Sequence, residues 1–158
     1  MKTTLERARE ENHDKMVDSL QELLEKNYDA EKGFKKARDN TKNHSLKDYL
    51  KRQAVKRNRF ATELDFEIRG LNAKPKESGS ATASIHRAWI DLKSAIAGND
   101  DEAILEECIR GDKASVEEYE EVLEKHKLHS KIEQVVTQQL NDIRKTLNEV
   151  KRLEDLTE

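Results

Sequence analysis

Metal chemistry in a helix bundle needs carboxylates and imidazoles that converge on one level, and several residues of this chain stand where such a level would form. Glu31 falls on the stripe Met16, Leu20, Leu24, Asn27, Glu31, Phe34, where spacings of three and four mark one helix face and an apolar side chain is expected. Gln53 and Arg57 interrupt the stripe Leu46, Leu50, Phe60, Leu64, Ile68. Asp112 interrupts Ile104, Cys108, Ser115, Tyr119, Val122, and Gln139 interrupts Ile132, Val136, Ile143, Leu147, Val150, Leu153. In an antiparallel bundle these polar positions can meet. One reading is a cation held by Glu31 and Asp112. The other is a structural polar core of Glu31, Gln53, Arg57 and Gln139 that needs no ion. Arg57 favours the second, because a guanidinium beside Glu31 would take its carboxylate in a charge-assisted pair and repel a cation.

A di-iron carboxylate site also wants a Glu-x-x-His from each of two helices. The chain's Glu-x-x-His spacing, Glu10 to His13, lies near the N-terminus and away from mid-bundle. His86, three residues before Trp89, has the chemistry of a ligand or an acid/base group, but its place beside an apolar face is more often that of a structural histidine. His126 and His129 flank a turn, where their spacing suits an adventitious divalent ion and helix capping is the simpler account. Cys108 is expected to be buried and unreactive, with no cation within a turn on its stripe. Phosphate-binding glycine loops, Ser-His-Asp arrangements and paired-cysteine metal motifs are absent from the sequence.

Helices must position these residues, and the sequence allows long ones, with a single proline, Pro75, and five glycines. The spacing predicts a first helix beginning between Thr3 and Asp14 and ending near Lys42, then a short turn with Ser45 as N-cap. A second helix runs from about Leu46 to Leu71, antiparallel to the first because the connection is short. After a loop over 72–80 a shorter helix, about Ala81 to Ala97, is expected to cover one end as part of a crossover. Gly98 ends it. Asn99 with Glu102 is read as the capping pair of a fourth helix reaching His126, and Ser130 with Glu133 as the start of the last.

The net charge of -3 conceals two opposed blocks. Lys32 to Arg59 holds eleven Lys/Arg against two Asp, a local +9, whereas Asn99 to Glu124 holds eleven Asp/Glu against two Lys/Arg, a local -9. Such blocks can neutralise each other within one chain or between chains, so self-association through charge-complementary helices is expected. Nucleic-acid binding is disfavoured, since the basic block has few aromatics in or beside it, Phe34, Tyr49 and Phe60, and carries no recognition motif. No apolar run approaches the roughly 20 residues that cross a bilayer. With a lone cysteine and a charged N-terminus, a cytoplasmic protein outside the membrane is expected.

The run Ile85-His86-Arg87-Ala88-Trp89-Ile90-Asp91-Leu92-Lys93, with Gly98-Asn99-Asp100-Asp101, Leu105-Glu106-Glu107-Cys108-Ile109-Arg110-Gly111-Asp112 and Glu31-Lys32-Gly33-Phe34, resembles a bacterial family of ferritin-like four-helix-bundle proteins of unknown function. The resemblance covers about residues 12–155 and leaves 1–11 as a frayed extension. It implies a ferritin-like fold and a stress-related or metal-handling role, and on matching positions it leaves Glu31 with Glu107 or Asp112 as carboxylates. Gln53, Arg57, Gln139 and Leu147 stand where further ligands would help, which argues against iron oxidation or storage.

The expectation is therefore one all-α domain over residues 1–158: an antiparallel ferritin-like four-helix bundle with an additional short crossover helix. It is expected to act as a non-enzymatic accessory or interaction protein without a cofactor. The alternative is an oxidoreductase-like or metal-handling bundle holding iron, manganese or zinc through Glu31, Glu107, Asp112 and His86.

Overall fold

Each apolar stripe becomes a helix in the computed structural model, which describes residues 3–77, 89 and 91–156. Helix α1 spans Thr4–Asn40 and starts with a reciprocal cap, Thr3 Oγ1 accepting the Glu6 N–H and Glu6 accepting the Thr3 N–H, both at 3.1 Å. Helices α2 (His44–Gly70), α3 (Leu92–Ala97), α4 (Asp101–Lys125) and α5 (Ser130–Glu149) follow, and a 3-10 turn over Leu153–Leu156 comes last. Of the short helix expected over Ala81 to Ala97, only the end corresponds to α3; residues 78–88, including Ile85 and His86, lie outside the described residues. Among the described residues no helix is long and apolar enough to cross a membrane.

Two caps differ from the sequence reading. Asn43, not Ser45, caps α2 by accepting the Leu46 N–H at 2.9 Å. Asp100, not Asn99, caps α4 through the N–H groups of Glu102 and Ala103. Asn99 instead takes the left-handed conformation, φ 54°, that Asn tolerates better than most residues. Ser130 is already the first helical residue of α5, after His129, which makes no side-chain cap.

The chain runs up α1, down α2 and then back along α1. Gln21 donates to Lys74 O at 2.8 Å and accepts the Lys76 N–H at 2.9 Å, while Lys76 pairs with Glu25. At the top, Asp101 meets the α1–α2 turn, so α4 descends parallel to α2. Helix α5 climbs back, placing Lys131 near Glu67, Asp142 near Lys56, and finally the Leu153 N–H on Glu102 at 3.1 Å. Helix α1 packs against α2 and α4, and α5 closes the arrangement against the same two, so α2 and α4 lie on a diagonal.

Two apolar clusters fill the interior. One joins Met16, Leu20 and Leu24 to Phe60, Leu64, Val136 and Ile143; the other joins Phe34, Leu46 and Leu50 to Ile104, Leu105 and Trp89. The Trp89 indole is wedged between α1 and α4. A Cβ built on Gly33 would come within 2.5 Å of its Cε3, and one on Gly111 within 2.6 Å of its Cζ2. Phe34 meets the same ring edge-on, with centroids 5.1 Å apart. Glycine inside a helix is unfavourable on its own, so these two positions trade helix propensity for close approach of the indole.

The top is fastened by Asp101, whose carboxylate accepts from the Thr41 hydroxyl at 2.6 Å and from the N–H groups of Lys42 at 3.2 Å and Asn43 at 3.0 Å. Burial opposes the charged carboxylate, but these hydrogen bonds prevail and hold it below the ordinary 3.8.

Gly33→Ala and Gly111→Ala should each destabilise the fold by about 1–3 kcal/mol through overpacking, against the helix-propensity gain, with a shift in the emission of the chain's one tryptophan read by denaturant titration. Asp101→Asn should destabilise by about 1 kcal/mol at pH 7. A lowered carboxylate stabilises above its ordinary value and loses that contribution in acid, so the gap between wild type and variant should close as pH falls below 3.8.

Candidate functional site

Between the two apolar clusters lies a polar level, and its centre is Arg57. The side chain is 1% exposed, and a guanidinium cannot shed its charge, so its donors require acceptors inside the protein. Helix α4 supplies Asp112, 2% exposed, whose Oδ1 accepts from Arg57 Nη2 at 2.7 Å. Helix α1 supplies Asn27, whose Oδ1 accepts from Nη1 at 2.9 Å. The Asn27 amide in turn donates to Leu23 O and to the Tyr119 hydroxyl, each at 2.8 Å. Tyr119 donates to Gln139 Oε1 at 2.6 Å, and Gln139 Nε2 reaches Phe60 O at 3.2 Å and Glu63 Oε1 at 2.9 Å. All four long helices are thereby tied at one height.

Electrostatics at this level are set by burial. It pushes the Asp112 carboxyl above its ordinary value, with Arg57 and then Lys56 pulling the other way. A raised carboxylate favours the fold in acid and loses that contribution as pH rises, the opposite sign to Asp101. Burial also pushes the Tyr119 hydroxyl up to about 12, which keeps it a neutral donor, and raises the Cys108 thiol well above its ordinary value. Cys108 is buried and unlike a reactive thiolate in its surroundings.

The residues singled out from sequence are only partly brought together. Arg57 and Gln139 belong to the polar level, and Gln53 is buried on α2 but is not a member of this hydrogen-bond chain. Glu31 is not Arg57's partner: it rolls to the α1–α2 boundary, where it pairs with Lys35 at 2.9 Å and accepts from Asn58 at 3.3 Å. Asp112, read as a metal ligand, is the carboxylate that Arg57 takes. Glu107, its side chain only 12% exposed, pairs with Arg110 at 3.0 Å along α4, and His86 lies outside the described residues. In the sequence Asn27 and Tyr119 stand only as members of apolar stripes; the signal for their role is that a buried tyrosine hydroxyl needs a partner.

These donors do not fit the metal centre that the ferritin-like resemblance implies. Glu31, Glu107 and Asp112 each face a different cation, and the innermost is bonded to a guanidinium. Among the described residues no three His, Cys, Asp or Glu side chains are grouped to hold a metal ion.

Residues 15–125, which comprise most of α1 and all of α2 to α4, match the family described as "Domain of unknown function (DUF2383)", and the chain belongs to that family. No curated protein and no solved structure matches it. Of the polar level, Asn27, Arg57, Asp112 and Tyr119 fall within the matched residues, and Gln139 outside them.

Removing one partner of the buried pair should be far more damaging than replacing both. Asp112→Ala is expected to lose about 3–5 kcal/mol, because it strands a buried charge. The double variant Arg57→Met with Asp112→Leu should recover most of that loss, as measured by urea unfolding of Asp112→Ala and the double variant.

Proposed function

We propose that the protein is a non-enzymatic ferritin-like bundle whose role is association, copies joining through oppositely charged helices. The ferritin-like reading is supported by the chain's path, two antiparallel helix pairs linked by one long crossover that leaves α2 and α4 parallel. The non-enzymatic reading is supported by the polar level, where Arg57, Asp112, Asn27, Tyr119 and Gln139 are committed to one another.

One observation carries the role in association. The basic block occupies the end of α1 and the first half of α2, the acidic block fills α4, and α2 and α4 are diagonal. Arg57 and Asp112 join the blocks through the interior, but exposed Lys51 and Arg52 on α2 face away from exposed Glu117 and Glu124 on α4. A single chain cannot bring these surface charges together; two chains can.

Mass in solution tests this. Association should be present at low salt and reverse near 1 M, where the screening length falls to about 3 Å. A protein that holds monomer mass at low salt across micromolar concentrations overturns the proposal.

A further inference from the structure

Resting on that reading, we infer that the contact is head-to-tail: the outward face of α2 on one copy docks on the outward face of α4 on the next. Val55 and Phe66, 65% and 64% exposed, are large apolar side chains turned to solvent on α2. They are eleven residues apart, about three helical turns, and so lie in one line. Exposed Lys51, Arg52 and Arg59 border that line, and Lys131 Nζ sits 5.0 Å from the Phe66 ring centroid.

Helix α4 presents a receptive counterpart. Glu106, Glu117 and Glu124 are exposed along one line, at separations of eleven and seven residues that repeat the helix face. Half-buried Val116 and Leu123 flank it, seven residues apart, and give Val55 and Phe66 apolar surface to cover. Lys51 to Phe66 spans about 22 Å and Glu106 to Glu124 about 27 Å at about 1.5 Å per residue, so the α2 stripe fits along the α4 stripe with about one turn to spare.

Symmetry then selects the geometry. A two-fold contact of α2 on α2 sets basic on basic, and one of α4 on α4 sets acidic on acidic. Only the unlike faces attract, which makes the interface heterologous, and each added copy leaves one face of either kind free until a ring closes.

Charge reversal tests the pairing. Lys51→Glu with Arg52→Glu makes one variant, and Glu117→Lys with Glu124→Lys the other; all four positions are exposed, and unchanged helical content and melting temperature check each fold. At low salt by analytical ultracentrifugation, wild type should show at least twice the monomer mass, each variant alone the monomer mass, and their equimolar mixture at least twice again. Val55→Ser with Phe66→Ser should weaken wild-type association at least tenfold. Association of either charge variant alone at wild-type strength, or a mixture that stays monomeric, overturns the head-to-tail contact while leaving salt-sensitive association intact. A monomeric wild type removes both proposals.

Discussion

A guanidinium that is buried and permanently charged constrains everything around it. Arg57 sits where two apolar clusters would otherwise merge, and its donors require acceptors from other helices. Asp112 and Asn27 provide them, which fixes the heights of α4 and α1 relative to α2. Tyr119 and Gln139 carry the same requirement to α5. Burial of both charges makes the pair a poor source of net stability, and the raised value of Asp112 agrees with that. What the pair provides is a penalty for every other register, because sliding one helix by a turn would leave the guanidinium without acceptors.

The second constraint is spatial. Trp89 approaches α1 and α4 more closely than any residue with a Cβ at positions 33 or 111 would permit. The segments that carry the family resemblance, around Glu31 to Phe34, Trp89 and Leu105 to Asp112, meet at this one ring. Asp101 adds a polar tie at the top, receiving the turn between α1 and α2 on its carboxylate. The crossover is thus anchored on α1 at its start by Gln21 and at its end by an indole and a carboxylate.

Much of this was legible in the sequence. The four apolar stripes mark the long helices, and three of their polar interruptions, Arg57, Asp112 and Gln139, mark the level at which those helices meet. Caps were misjudged by one or two residues because Asn43 and Ser45, or Asn99 and Asp100, are all competent chemically, and backbone geometry alone chooses between them. Spacing alone puts Glu31 inside, because it follows Asn27 by one helical step. The buried line passes instead through Asn27, Ala30 and Phe34, and the longer side chain of Glu31 reaches the boundary. Which carboxylate meets Arg57 depends on which helices lie across the diagonal, and stripes within single helices carry no such information. The wedge of Trp89 was hidden for a related reason: a glycine in a helix looks like a weakness until the ring it admits is known.

The hydrogen bonds of the polar level also have a direction. Arginine can only donate, so Asn27 must turn its oxygen to Arg57 and its amide to Tyr119; Tyr119 must pass its hydrogen to Gln139, and Gln139 its own to Glu63. Two amides and a hydroxyl that in isolation could each take either of two orientations are thereby set together, one after another, from the buried cation to the exposed Glu63. The interior behaves as a row of dipoles aligned by the charge at its end, with one joint arrangement in place of many. A substitution at Arg57 would therefore be felt at the far side of the bundle as a loss of orientational order, in groups that arginine itself does not touch.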